Sequence, residues 1–369
     1  MGRPPLMITD KENLLAWKKR ASAQAQGRVV LDLEADSMHR FREKLCLIQY
    51  ADAEGVEIID PLAIEDMRPF ALWLEKVQVW MHGADYDMCL LQNTFGLLPA
   101  LILDTQIAAR LLGFKQFGLA ALVKHFYGIT LSKKNQKADW ARRPIPDDML
   151  DYAQGDVVYM LDMADRLVAD LRRKGRYEWF IESCEWNMER GRERFISERT
   201  EAWRIKGCGK LTNRGLAALR ELWRWRSAEA EMRDKPVFMV CSNEELLSMC
   251  MRLQEFRIVT PFPRWNGARS ARFSKAVEHF QLLDEEEYPK HLHHPRHTQN
   301  SNFEKQLERW LSLREQCASA LEIDPSLIAS RAQIEAIAHE ESEGLTQLMN
   351  WQRELLLAPP KRRKKWWQI

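Results

Sequence analysis

Three short acidic clusters in this chain have the residue types and spacing to hold hard cations. Asp32 and Glu34 stand two apart at the end of the apolar run Val29-Val30-Leu31. In a strand, period two sends both carboxylates to one face. Two carboxylates side by side are costly unless they are paired or bound to cations. The run contains nothing basic, and oxygen ligands suit divalent ions such as Mg²⁺. The second cluster, His82-Gly83-Ala84-Asp85-Tyr86-Asp87, follows a short apolar strand and opens a helix. The ends of such strands face the crevice in which α/β folds bind ligands. In the third, Asp151-Tyr152-Ala153-Gln154-Gly155-Asp156, Tyr152 and Asp156 are four apart and share a helix face. About four carboxylates converging on two cations roughly 3.5–4 Å apart are what a two-metal hydrolase needs, and a neighbouring phenol can orient the attacking water.

These clusters need a scaffold. Thr9 or Asp10 can cap a first helix carrying Leu14, Leu15 and Trp17. Val29–Glu34 reads as a buried central strand, and two further strands at Leu45–Tyr50 and Val56–Ile59 have connections short enough for an antiparallel meander. A helix around Ile64–Lys76, a strand at Val77–Met81, a helix over Tyr86–Phe95 and a short strand at Leu101–Leu103 follow, and helices dominate to about residue 200. Strands first, then strands alternating with helices, imply a mixed sheet with helices on its faces.

The second half carries no strong strand signal. After the break at Gly207-Cys208-Gly209, the spacing of Leu216, Leu219, Leu222, Trp223 and Trp225-Arg226 predicts an amphipathic helix that ends at Asp234-Lys235-Pro236. Ser242 or Asn243 caps another helix, and a third is expected near Ala268–Leu283. Asp284–Asn302 reads as a linker, Phe303–Leu357 as helical again, and the tail ends in Lys361-Arg362-Arg363-Lys364-Lys365-Trp366-Trp367.

The 369 residues suffice for two or three domains, and 46% apolar with 29% charged residues is a globular composition. A net charge of +2 excludes a protein that coats nucleic acid by bulk charge, so any such binding comes from local patches. The seven cysteines form no CxxC pair, which argues against a zinc site or a disulfide framework and for reduced thiols in the cytoplasm. Met1–Leu6 lacks the apolar core of a signal peptide, and no apolar run approaches the roughly 20 residues that span a membrane.

The order Asp-x-Glu, His-x4-Asp, Tyr-x3-Asp resembles the tyrosine branch of the DEDD exonucleases. The flanking Leu45-Cys46-Leu47-Ile48-Gln49, Ile59-Asp60-Pro61-Leu62, Leu103-Asp104-Thr105-Gln106 and Asp139-Trp140-x-x-Arg143-Pro144 are similar to the ribonuclease D family within it. The likeness covers about residues 8–200. It implies an α/β ribonuclease-H-like exonuclease domain with a mixed sheet over residues 1–200, followed by all-α helical bundles. Leu219-Arg220-x-Leu222-x-x-Trp225-Arg226 and Arg233-Asp234-Lys235-Pro236 resemble the helicase-and-ribonuclease-D C-terminal (HRDC) domain, placed at 210–290. Residues 300–358 are similar to a degenerate second copy, and 359–369 form a basic tail.

The resemblance further implies a metal-dependent 3′→5′ exoribonuclease that removes nucleoside 5′-monophosphates from RNA with a free 3′ end, as in processing of transfer-RNA-like molecules. Two Mg²⁺ or Mn²⁺ ions would be held by Asp32, Glu34, Asp87 and Asp156, with Tyr152 orienting the water. Asp87 is preferred to Asp85 because it stands five after His82. His82, Lys133 and Lys137 fall at substrate-binding positions. Ala35 departs from the family, which often has an aromatic residue there. Phe41 and His39 are the nearby rings that can substitute.

Plainer readings stand beside these. Asp104 reads as a helix cap, Lys133, Lys134 and Lys137 also fit a solvated loop, and His291, His293, His294 and His297 read as linker rather than metal site. Trp366 and Trp367 can stack on bases or belong to a disordered tail. Two rival functions keep the same residues: a 3′→5′ DNA exonuclease in repair, and a non-catalytic RNA-binding scaffold. The complete acid set argues against the scaffold.

Overall fold

The computed structural model describes residues 6–24, 28–291 and 301–359. The expected histidines beyond His291 and the basic tail lie outside the described residues. Six strands form one mixed sheet: β1 (Leu6–Ile8), β2 (Val30–Ala35), β3 (Leu45–Asp52), β4 (Gly55–Ile59), β5 (Gln78–Met81) and β6 (Leu101–Asp104), in the order β1-β4-β3-β2-β5-β6. β3 and β4 are antiparallel, with Ile48 opposite Ile59 and Asp52 opposite Gly55. The pairs β1–β4, β2–β5 and β5–β6 are parallel. β2 is therefore an inner strand, between β3 and β5. β1 is the one strand the sequence pattern missed. Three residues are too few to show a period, and the strand exists through its register on β4, with Ile8 opposite Ile59.

Helices cover the sheet. Lys11–Gln24 begins at Asp10, whose carboxylate accepts from the Asn13 backbone N–H at 2.9 Å. Its buried Trp17 packs edge-on against Tyr50 of β3 and Trp73 of the helix Arg68–Leu74. The helices Thr105–Leu112, Asp147–Val157, Met160–Arg173 and Tyr177–Glu201 follow. Burial in Met160–Arg173 falls on Met160, Met163, Ala164, Leu167 and Leu171, one stripe of helical period.

The described residues divide into two compact units. One holds the sheet and its helices, with Leu45–Arg192 at its centre, together with the helices from Ser301 onward. The late helices, Ser301–Leu321 to Asn350–Leu357, share its hydrophobic core: Trp310, Cys317, Ile328, Ile337 and Trp351 are buried in one cluster with Leu111, Leu167 and Phe180. Trp351 stacks on Trp179 at 5.0 Å, and Glu182 accepts from the Asn350 backbone N–H at 2.6 Å where the last helix begins. Buried Arg176 donates at 2.7 Å to both Leu111 O and Leu321 O, closing the C-terminal ends of two helices.

The second unit comprises Ala35–Lys44 and Glu193–Arg296. Its core is built on the helices Asn213–Glu231, Asn243–Gln254 and Gly267–Gln281, around Leu219, Leu222, Trp225, Leu246 and Phe273. Ser242 closes a capping box with Glu245. The segment between β2 and β3 belongs here: Arg40 pairs with Asp234 at 3.1 Å, and Phe41 packs against the helical core. Phe41, one of the two rings considered in place of Ala35, is thus a packing residue of this unit.

Candidate active site

On β2, Leu31 and Leu33 are buried while Asp32 and Glu34 face the opposite side, as the alternation requires. The helix Asp147–Val157 packs on the neighbouring β3 and brings Asp156 to the same place. One oxygen each from Asp32, Glu34 and Asp156 lie within 4.8 Å of one another. Asp87 sits in the first turn of the helix Asp85–Phe95, buried at 8% exposure and close enough to raise the proton affinity of both Asp32 and Glu34. It stands beside the three-carboxylate group rather than within it. Asp85 points elsewhere, accepting from Asn187 at 3.2 Å.

The electrostatics are those of mutually repelling acids. Burial, then Asp87 and Asp156, hold Asp32 well above the usual carboxylate range. Burial, followed by Asp32, Asp156 and Asp87, pushes Glu34 up to about 10. Burial also takes Asp87 to about 7 and Asp156 to about 6. Among the described residues no basic side chain is a cause of any of these shifts. Four such carboxylates fit divalent cations by their donor chemistry and by the charge they leave uncompensated.

Tyr152 stands one helical turn before Asp156, and its hydroxyl faces that carboxylate closely enough to lower the proton affinity of Asp156. Burial and the charges of Asp156 and Glu34 raise its own proton affinity, so it stays a phenol. The buried Trp140 ring stands 6.0 Å from the Tyr152 ring and backs it.

His82 follows β5 and packs against the residues that follow β6. Its Nδ1 lies 2.9 Å from Thr105 Oγ1, and that hydroxyl donates to Met81 O at 3.1 Å. The threonine proton is thereby committed, so Nδ1 carries the imidazole hydrogen. Nε2 is left as a buried acceptor without a hydrogen-bond partner among the described residues. Burial lowers the pKa of His82 and keeps the ring neutral.

Asp104 caps its helix as expected, accepting from the Gln106 backbone N–H at 2.7 Å. It also accepts from the backbone N–H groups of Gly83 at 2.9 Å and Ala84 at 3.0 Å, fixing the turn that leads to Asp87. Gly83 has φ +66°, and a Cβ there would meet the Gln106 amide at 2.9 Å, so the turn requires glycine.

Lys133 and Lys137 are exposed in the loop before Asp147–Val157, and their neighbour Lys134 pairs with Asp148 at 3.1 Å. Of the expected histidine run, His291 is described, and its Nε2 lies 2.7 Å from Leu211 O. All seven cysteines are free thiols. No described helix is long and apolar enough to cross a membrane.

Comparison with known proteins decides the family. The family model described as 3′-5′ exonuclease matches residues 5–172, and that of the HRDC domain matches 215–254. Ribonuclease D of Cronobacter turicensis is 30% identical over 353 residues, covering 94% of this chain and 91% of that protein. The chain belongs to the ribonuclease D family. It is a 3′→5′ exonuclease with an HRDC domain. Among solved structures, Escherichia coli RNase D, titled an exoribonuclease involved in structured RNA processing, superposes with a TM-score of 0.72 at 26% identity. That match covers 97% of this chain and all of the other. A protein from Bifidobacterium adolescentis shares the fold at TM-score 0.76 and 22% identity, over 96% and 95% of the two chains.

Proposed function

We propose that this ribonuclease D family member hydrolyses the terminal phosphodiester of RNA bearing a free 3′ end, releasing nucleoside 5′-monophosphates one at a time. Structured RNAs of the transfer-RNA kind are the proposed substrates. The observation that carries the reading is the convergence of Asp32, Glu34 and Asp156, with Asp87 beside them and Tyr152 facing Asp156.

In this reading Asp32, Glu34, Asp87 and Asp156 hold two divalent cations, Mg²⁺ or Mn²⁺. When bound, the ions supply an activated water and charge stabilisation for the leaving 3′ oxygen. The Tyr152 phenol, beside Asp156, offers its oxygen lone pairs to a hydrogen of the incoming water and so aims it. His82, neutral and with Nε2 unpartnered, accepts a hydrogen bond from the substrate. Lys133 and Lys137 contact phosphates. Residues 1–200 form the catalytic domain and 210–290 the HRDC-like domain, with 300–358 as a degenerate second HRDC-like bundle packed into the catalytic core. Free thiols fit a cytoplasmic enzyme.

Digestion of a single-stranded RNA labelled at its 3′ or its 5′ end, with and without Mg²⁺ or Mn²⁺, tests the proposal. Metal-dependent loss of the 3′ label as mononucleotide, with a shrinking 5′-labelled ladder, is expected. Intact RNA in both metals with folded protein would overturn it and favour a scaffold.

A further inference from the structure

Gln49, in the middle of β3, is fully buried, and neither its side-chain nitrogen nor its side-chain oxygen has a hydrogen-bond partner among the described residues. Burying an amide without partners is costly, so both atoms need something to bond. The antiparallel register shows which way the side chain points. Gln49 stands opposite Ile58 of β4, and residues directly opposite in such a ladder share a face. Ile58 is buried with Leu47, Met149 and Ala153, and Tyr152 lies against that group. Gln49 therefore faces the helix Asp147–Val157. Its neighbour Tyr50 points the other way, onto Trp17.

The acids occupy the same face of the next strand. β2 adjoins β3, and Asp32 and Glu34 of β2 meet Asp156 of that same helix. One layer between sheet and helix thus holds three carboxylates, the Tyr152 phenol and an amide without partners.

The chemistry of the amide suits that company. The indole N–H of Trp140, buried in the same group and also unpartnered, is a donor and can serve only the amide oxygen. The amide nitrogen needs an acceptor, and carboxylates are strong ones. A lysine or arginine in this place would neutralise the acids and repel a cation. An amide N–H carries no net charge, so it can hold a carboxylate in one orientation and leave the negative charge to the metal.

We propose that Gln49 is a positioning residue of the metal site: its side-chain N–H donates to a carboxylate of β2, Asp32 or Glu34, and fixes that group toward the divalent cations. The inference rests on the reading of the four acids as cation ligands, and it adds to them a polar side chain from a strand that supplies no ligand.

Calorimetric titration of the full chain with Mn²⁺, in the absence of RNA, is the test. Gln49→Met keeps the length of the side chain and removes both polar atoms. Its Kd for Mn²⁺ should rise roughly 10- to 100-fold, as when the hydrogen-bond partner of a metal ligand is lost. Its metal-free melting temperature should be no lower than that of the wild type, because an unpartnered amide has been exchanged for an apolar side chain. A glutamine that serves packing alone predicts the reverse, a lower melting temperature and an unchanged Kd. A second measurement needs no variant. In wild-type protein isotope-labelled at glutamine nitrogen, the Gln49 side-chain signal, assigned through its own backbone amide, should shift and exchange more slowly with solvent when Mg²⁺ is added. Folded Gln49→Met with wild-type affinity, or a Gln49 signal that ignores Mg²⁺ in protein that binds it, would overturn this proposal alone. Wild-type protein that takes up neither ion would end the reading of the acids as ligands, and this inference with it.

Discussion

Arg143 grips Asp60 through two parallel bonds, Nε to Oδ2 and Nη2 to Oδ1, both 2.7 Å. The same guanidinium donates to Trp140 O and Cys46 O, each at 2.8 Å. One side chain therefore fastens the loop ahead of the helix Asp147–Val157 to the ends of β3 and β4. That helix carries Tyr152 and Asp156, so in the proposed mechanism Arg143 acts as a positioning residue. Asp60 is 3% exposed and Arg143 29%. Arg143→Met leaves a buried carboxylate without its cation. The cost should be about 3 kcal/mol, the low end for a broken buried pair, because Asp60 keeps the backbone N–H groups of Leu62 and Ala63. Urea unfolding measures it. An unchanged midpoint would remove the clamp from the account.

Tyr152→Phe keeps the ring against Trp140 and deletes only the hydroxyl. If the phenol aims the water, kcat should fall on the order of 10²-fold with little change in KM. Metal affinity, read by calorimetry, should hold within a few-fold. Equal turnover by the variant would take the water-orienting role away from Tyr152.

Asp156→Ala should lower turnover by on the order of 10³-fold, because charge stabilisation at the leaving oxygen is lost with the ligand. The same change relieves repulsion among the acids, so the metal-free variant should melt no lower than the wild type. A variant that still trims RNA at the wild-type rate would end the two-metal reading.

Much of the catalytic unit was legible because its signals are local. Alternation placed Asp32 and Glu34 on one face of β2, and the four-residue spacing set Tyr152 against Asp156. Less legible was whatever depends on a distant partner. β1 exists only through β4. Asp104 showed its cap, since Gln106 is two residues on, but not its hold on Gly83 and Ala84, which come from another strand end. Phe303–Leu357 read correctly as helical, yet no periodicity reveals that Trp351 would stack on Trp179. Arg269 and Arg272, from one helix, and Arg233, from the turn after another, meet at Glu229 only in three dimensions.

That distant packing has a consequence for the catalytic unit. Trp351 is 3% exposed, stacks on Trp179, and its indole N–H donates to Ser183 Oγ at 3.2 Å. Trp351→Ala should cost about 3–5 kcal/mol, as large-to-small changes in a core do. Because one core spans both segments, exonuclease activity should be lost at a lower temperature, together with the unfolding signal. Activity that outlasts melting of the late helices would show that those helices are dispensable to the nuclease.

Metal and proton should compete for the acids of β2. Glu34, Asp87 and Asp156 bind protons at about 10, 7 and 6 in the folded protein. In the unfolded chain they do so near the ordinary carboxylate values of about 4. The folded state thus holds more protons between pH 4 and the raised values, and stability falls with rising pH across that window. This contribution is complete below about pH 4 and is lost progressively as each folded pKa is passed. Metal-free protein should accordingly melt at a lower temperature at pH 8 than at pH 6. Mg²⁺ or Mn²⁺ binds only the deprotonated acids, so either ion should raise the melting temperature more at pH 8 than at pH 6. Calorimetric scans in EDTA and in excess metal at the two pH values give both differences. A metal effect of equal size at both, with no pH dependence in EDTA, would mean that the four carboxylates do not form the coupled site described.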